Sequence, residues 1–121
     1  MKIKILGTRG EIEKSSPYHS KHSGILLDEK ILFDLGEKEF LSYRPEVIFF
    51  THFHPDHAYF VRAENKEPDI NIPLYAPENY EGNLKFTILS ESLECGEYKI
   101  TPIPTHHSKN VKSQAYLIEN N

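Results

Sequence analysis

Tryptophan is absent, cysteine occurs once, and no apolar run exceeds four residues. Each shortage removes a class of protein. The lone Cys95 excludes an internal disulfide and any cysteine-based zinc finger. It lies in Glu94-Cys95-Gly96-Glu97, a turn-like context with no neighbour that would activate a thiol. The apolar run 47–50 is far too short to cross a bilayer. The opening residues, Met1-Lys2-Ile3-Lys4-Ile5-Leu6-Gly7, alternate charged and apolar side chains as a strand does, whereas a signal peptide needs a continuous apolar stretch. A cytoplasmic protein with no membrane partner is the expectation. Basic charge is short as well: 14 Lys and Arg against 18 Asp and Glu leave a net charge of −4, so there is no basic field for non-specific nucleic-acid binding. A polyanionic substrate stays open, because bound metal would add positive charge that the residue count omits.

What remains suits one domain spanning residues 1–121, with 38% hydrophobic residues and seven Phe and seven Tyr to fill a modest core. Residues 2–6 read as a first strand stopped by Gly7, and a polar loop follows over 8–23. Residues 24–27 and 31–33 form a hairpin pattern around Asp28-Glu29-Lys30. A short helix is expected over 37–42, before Pro45. Residues 47–51, with no polar interruption until Thr51, suit a strand buried on both faces. Pro55 is placed to start a helix running to Ala63. Short strands are expected at 72–75 and 85–89, and 98–103 should pair with 114–119. There is no internal repeat or linker.

The chemistry concentrates in Thr51-His52-Phe53-His54-Pro55-Asp56-His57. Side chains two apart in an extended segment point the same way, so His52 and His54 can grip one metal ion. The turn at Pro55 would let Asp56 and His57 face a second ion beside it. Imidazole and carboxylate suit zinc, with manganese or iron as alternatives. A polar helix N-terminus could also be rich in such residues, but three His and one Asp within six positions after a buried strand favour metal. A purely structural zinc site is disfavoured, because such sites close four ligands around one ion.

This hexapeptide resembles the His-x-His-x-Asp-His signature of the metallo-β-lactamase superfamily, which includes lactamases, lactonases, glyoxalase II and tRNA-processing nucleases. Ile31-Leu32-Phe33-Asp34-Leu35-Gly36 is similar to the family's strand that ends in a structural Asp before Gly, and Leu6-Gly7-Thr8-Arg9-Gly10 resembles the opening of the ribonuclease Z and phosphodiesterase branch. The resemblance implies an α+β fold, the N-terminal half of an αβ/βα sandwich, with a mixed, mainly antiparallel sheet and flanking helices. It also implies a third histidine for the first ion. Thr105-His106-His107-Ser108 offers two, and the hydroxyl residue that usually follows this ligand favours His107, with His106 as the alternative. Only one of the two can point inward from a strand. Asp34 is expected to orient a ligand histidine by hydrogen bonding, or else to cap the turn at Gly36. Arg9, His19, Lys21 and His22 either edge the cleft and contact an anionic substrate or are solvated loop residues.

The implied function is a metal-dependent hydrolase, with one or two zinc ions and a metal-bound hydroxide oriented by Asp56. Its substrate is expected to be a small-molecule, nucleotide or nucleic-acid phosphodiester; thioester or lactone hydrolysis is the nearest alternative. In the family a bridging Asp and a last His come from the second half of the sandwich, and residues 108–121 contain neither. The chain is therefore expected to be a half-fold whose apolar sheet face needs covering, by self-association or by a C-terminal half. A catalytically silent, metal-binding interaction unit is the reading from a different class.

Overall fold

In the computed structural model, which describes residues 1–13, 17 and 19–120, the organising element is a strand at Val47–Phe49 whose residues are all buried. Alternate side chains leave a strand on opposite faces. Val47 and Phe49 accordingly enter one apolar cluster, while Ile48 and the following Phe50 enter another. Around this strand, β4, lie β1 (Ile3–Gly7), β2 (Gly24–Leu27), β3 (Ile31–Phe33), β5 (Leu74–Ala76) and β6 (Thr87–Ile88), in the order β1-β2-β3-β4-β5-β6. β1 to β3 pair antiparallel, and β3 to β6 pair parallel. A second, antiparallel sheet contains β7 (Leu93–Cys95), β8 (Tyr98–Thr105) and β9 (Ser113–Asn120).

The second sheet changes the account of the exposed face. Tyr98, Ile100, Tyr116 and Ile118 pack on Leu27, Ile31, Phe33, Val47 and Phe49. Phe33 and Phe49 stack at 5.3 Å, and the Tyr116 ring meets Phe49 edge-on at 5.5 Å. The opposite face is covered by Phe40, Phe53, Tyr59 and Phe60. Val47 to Phe50 therefore needs no second chain to bury it, contrary to the expectation from sequence; the 98–105 and 113–120 strands do so. Beyond the second sheet, Ile3 and Ile5 stay exposed at 57% each.

Two other expectations give way. No flanking α-helix occurs among the described residues. Residues 38–43 and 59–61 form short 3₁₀ turns, η1 (Lys38–Tyr43) and η2 (Tyr59–Val61). The helix expected from Pro55 to Ala63 begins correctly, with the amides of His57 and Ala58 both donating to the His54 carbonyl at 2.9 Å. It cannot propagate, because the next backbone groups are already paired with a distant loop. Leu35 N–H donates to the His57 carbonyl at 2.7 Å, and Tyr59 N–H donates to the Leu35 carbonyl at 2.9 Å. The six-stranded sheet is mixed, with three of its five strand pairs parallel, where a mainly antiparallel one was expected. The remaining strands fall near their expected places, including the 98–105 and 113–120 pair, and β7 is an addition that takes Glu94 and Cys95 out of the turn.

Candidate metal centre

The loop after β4 is held from three directions. Phe50 N–H donates to the Tyr75 carbonyl on β5, and the Phe50 carbonyl accepts from the Tyr116 hydroxyl on β9. The Thr51 carbonyl accepts from Gln114 N–H at 2.9 Å. Asp34, at the end of β3, supplies the third support. Its carboxylate accepts from Thr51 N–H at 2.7 Å, from Thr51 Oγ1 at 2.8 Å and from His57 Nδ1 at 2.6 Å. Asp34 sits at φ 66°, a left-handed conformation that Asp tolerates better than most residues. Gly36 then lies so close to the metal loop that a Cβ there would come within 2.5 Å of the Asp56 carbonyl oxygen. A side chain at 36 would push the loops apart.

On this base the rings converge. Ligand atoms of His52, His54 and His107 lie within 4.8 Å of one another, and so do those of His52, Asp56 and His57. His52 belongs to both groups. Thr51 Oγ1 gives its proton to Asp34, so at 2.9 Å it accepts from His52 Nδ1. That tautomer leaves the Nε2 lone pair bare, and Nε2 is buried with no hydrogen-bond partner among the described residues. A buried acceptor without a partner is unfavourable, and a cation would satisfy it. His54 Nδ1 stands 3.2 Å from His107 Nε2. Two nitrogens bound tetrahedrally to zinc at about 2.0–2.1 Å would be about 3.3 Å apart, so this separation fits a shared ion. His106 enters neither group among the described residues.

Proton affinities diverge within the cluster. Burial, helped by the neighbouring charges of His57, His54 and His107, pushes the His52 pKa down to about 4. Burial works on His57 in the same direction, but the Asp34 hydrogen bond and charge, with Asp56, outweigh it and raise its pKa. A His52 that stays neutral is in the state a metal ligand requires.

The N-terminal loop runs beside the cluster, with Ser23 N–H donating to the Asp56 carbonyl at 2.9 Å, and its cations have local partners. Lys21 pairs with Glu39, and His22 lies between Glu37, at 2.7 Å, and Glu11, at 3.7 Å. Arg9 donates to the Ile12 carbonyl at 2.9 Å. With His22, Arg9 lines a groove alongside Glu11, Glu13, Arg62 and Glu64. His19 Nε2 is 3.2 Å from the Thr8 carbonyl oxygen. Residues 14–16 and 18 of this loop lie outside the described residues.

No sequence-family model matches the chain, and no curated protein does. Solved structures do match, among them two that cover nearly its whole length. One is the metallo-β-lactamase fold protein YhfI from Bacillus subtilis, with a TM-score of 0.66 and 19% identity over 97% of this chain and 56% of that one. The other is a diphosphatase from the PhnP family, with a TM-score of 0.64 and 17% identity over 96% of this chain and 61% of that one. This chain has the metallo-β-lactamase fold. It spans less than two thirds of either relative's length.

Within that fold, sequence reading overlooked the supports contributed by β9. Gln114 and Tyr116 hold the carbonyls just before His52, and Gln114 is itself buried. Their only signal was the alternation Gln114-x-Tyr116-x-Ile118, which marks one strand face. Cys95 is half-buried, and burial with the nearby Glu46 raises its pKa, as expected of an inert thiol.

Proposed function

We propose that this chain carries the metal-binding part of a metal-dependent hydrolase acting on phosphodiesters. The observation that carries the reading is the bare, buried His52 Nε2 at the junction of the two ligand groups. His52, His54 and His107 would hold one ion, and Asp56 with His57 a second; zinc is the preferred metal, with manganese or iron as alternatives. Bound there, such an ion lowers the pKa of water and polarises a phosphoryl or carbonyl oxygen. The chain's own residues do the rest. Asp34 accepts the His57 Nδ1 proton and so fixes that ring's orientation and tautomer. The Asp56 carboxylate, 3.2 Å from His57 Nε2, would accept a hydrogen bond from the attacking water and orient it. The phosphodiester preference rests on the Leu6-Gly7-Thr8-Arg9-Gly10 opening and on the likeness to a PhnP-family diphosphatase. Thioester or lactone hydrolysis is compatible with the same groups.

A second reading is a metal-binding unit without turnover, since the two ligand groups by themselves account only for metal binding. One set of measurements separates the two: metal content per chain and turnover of bis-p-nitrophenyl phosphate, on the wild type, His52→Ala and His107→Ala. The expected result is metal in the wild type, almost none in His52→Ala, and a reduced amount in His107→Ala. Metal without turnover selects the silent unit. Equal metal content in all three proteins would remove the proposed centre.

A further inference from the structure

We infer that the loop joining β8 to β9 is the part of this site that takes the substrate's anionic phosphoryl group, with Lys109 and Lys112 as its cations. Residues 106–112 read His-His-Ser-Lys-Asn-Val-Lys and contain no carboxylate, in a chain whose net charge is −4. The loop lines a cleft of about 640 Å³, and His107 belongs both to that cleft and to the ligand group with His52 and His54. The cleft therefore meets the candidate metal centre at His107.

What these lysines bring is their place on the same cleft as His107. Three other cations are held in ion pairs: Lys2 with Glu29, Lys21 with Glu39, Arg62 with Glu11. Among the described residues neither Lys109 nor Lys112 takes part in an ion pair. The one carboxylate lining the cleft, Glu78, accepts the backbone N–H of Lys112 at 2.8 Å, which anchors the far end of the loop. Asn110 N–H donates to Ser108 Oγ at 3.2 Å and tightens the turn between the lysines. An open, carboxylate-free arm beside the histidines attracts anions, and lysine serves phosphate as a mobile point charge. The arm is solvent-exposed, so its contribution should be modest and sensitive to salt. Of the N-terminal cations expected from sequence, Lys21 pairs with Glu39 and His22 stands between Glu37 and Glu11.

The turnover arm of the test rests on the proposed hydrolase; the binding arm does not. Inorganic phosphate is titrated into the full chain, metal-free and metal-loaded, at low and high salt, and binding is followed by NMR. The double variant Lys109→Ala with Lys112→Ala should weaken phosphate binding about three- to tenfold at low salt, and high salt should erase most of the difference. The KM for bis-p-nitrophenyl phosphate should rise by a similar factor with kcat held, while the KM for a neutral lactone stays put. Both lysines are exposed, and an unchanged circular dichroism spectrum confirms folding. Equal phosphate affinity in wild type and double variant would overturn the inference. So would a loss confined to Lys21→Ala. Lysine-dependent phosphate binding in a chain that takes up no metal would keep the anion arm and sink the hydrolase reading instead.

Discussion

His52 and His107 meet in one cluster, yet the two sides of that cluster are built differently. His52 is 7% exposed and sits on a loop tied to β3, β5 and β9 by hydrogen bonds from Asp34, Tyr75, Gln114 and Tyr116. His57, on the same side, is clamped by Asp34. His107 is exposed, two residues past the end of β8, and its ring meets those of His52 and His54, with centroids 4.6 and 5.0 Å away. One side is tied by several buried hydrogen bonds, and the other is exposed. The fold thus invests its buried polar bonds where the two histidine groups share a residue and leaves the His107 side open.

The largest test of this contrast is Asp34→Ala. It removes the acceptor for three hydrogen bonds and leaves Thr51 and His57 donors unpaired in a buried site. It also places Ala at a left-handed φ of 66°. Breaking a buried, charged network of this kind costs about 3–5 kcal/mol, so the metal-free protein should lose about 10 °C or more in Tm. His107→Ala should leave the metal-free Tm almost unchanged and lower only the stabilisation gained on adding zinc. Equal losses in the two metal-free variants would erase the distinction between a built side and an open one.

Proton linkage gives a middle-sized test, because the buried side contains two opposite shifts. His52 has a folded pKa of about 4, below the roughly 6.5 of an unfolded histidine. Between those values the unfolded chain binds the extra proton, so stability falls as pH drops through that window. His57 is raised, so its contribution is fully present below about 6.5 and is lost as pH climbs through its folded pKa. The metal-free Tm should therefore pass through a maximum near pH 6.5. His52→Gln should flatten the acid limb alone, and Asp34→Asn the alkaline limb alone. A Tm profile unmoved by either substitution would mean the shifts are not those of the folded site.

These contrasts also mark where sequence could and could not be read. The ligand hexapeptide was legible because its members are contiguous and their spacing carries the geometry. His107 beside Ser108 was legible only through resemblance, since the approach of β8 to the loop after β4 is a long-range fact. The helix after Pro55 was misread because its continuation depended on Leu35, a partner some twenty residues away. The partners of Lys21 and His22 were not legible, because the carboxylates that hold them come from the segment before β4. A similar gap hid the second sheet: alternation in 98–105 and 113–120 shows two strands, but not the sheet face on which they pack.

The smallest expected effect lies on β9. Tyr116→Phe keeps the ring against Phe33 and Phe49 and removes only the hydroxyl. That hydroxyl donates to the Phe50 carbonyl and accepts from Gln114 Nε2 at 2.8 Å. Burial raises its pKa, so it stays protonated throughout the ordinary pH range and donates at every pH used above. Without it one carbonyl and one amide lose a buried partner, at a cost of about 1–2 kcal/mol, or about 3–8 °C in Tm for a chain of this size. The loop keeps its other ties through Asp34, Tyr75 and the Gln114 backbone, so zinc affinity should fall by no more than a few-fold. A drop in zinc affinity as large as that of His52→Ala, measured by competition with a chelator, would show that β9 alone sets the position of His52. The division between a multiply tied side and an open side would then have to be redrawn.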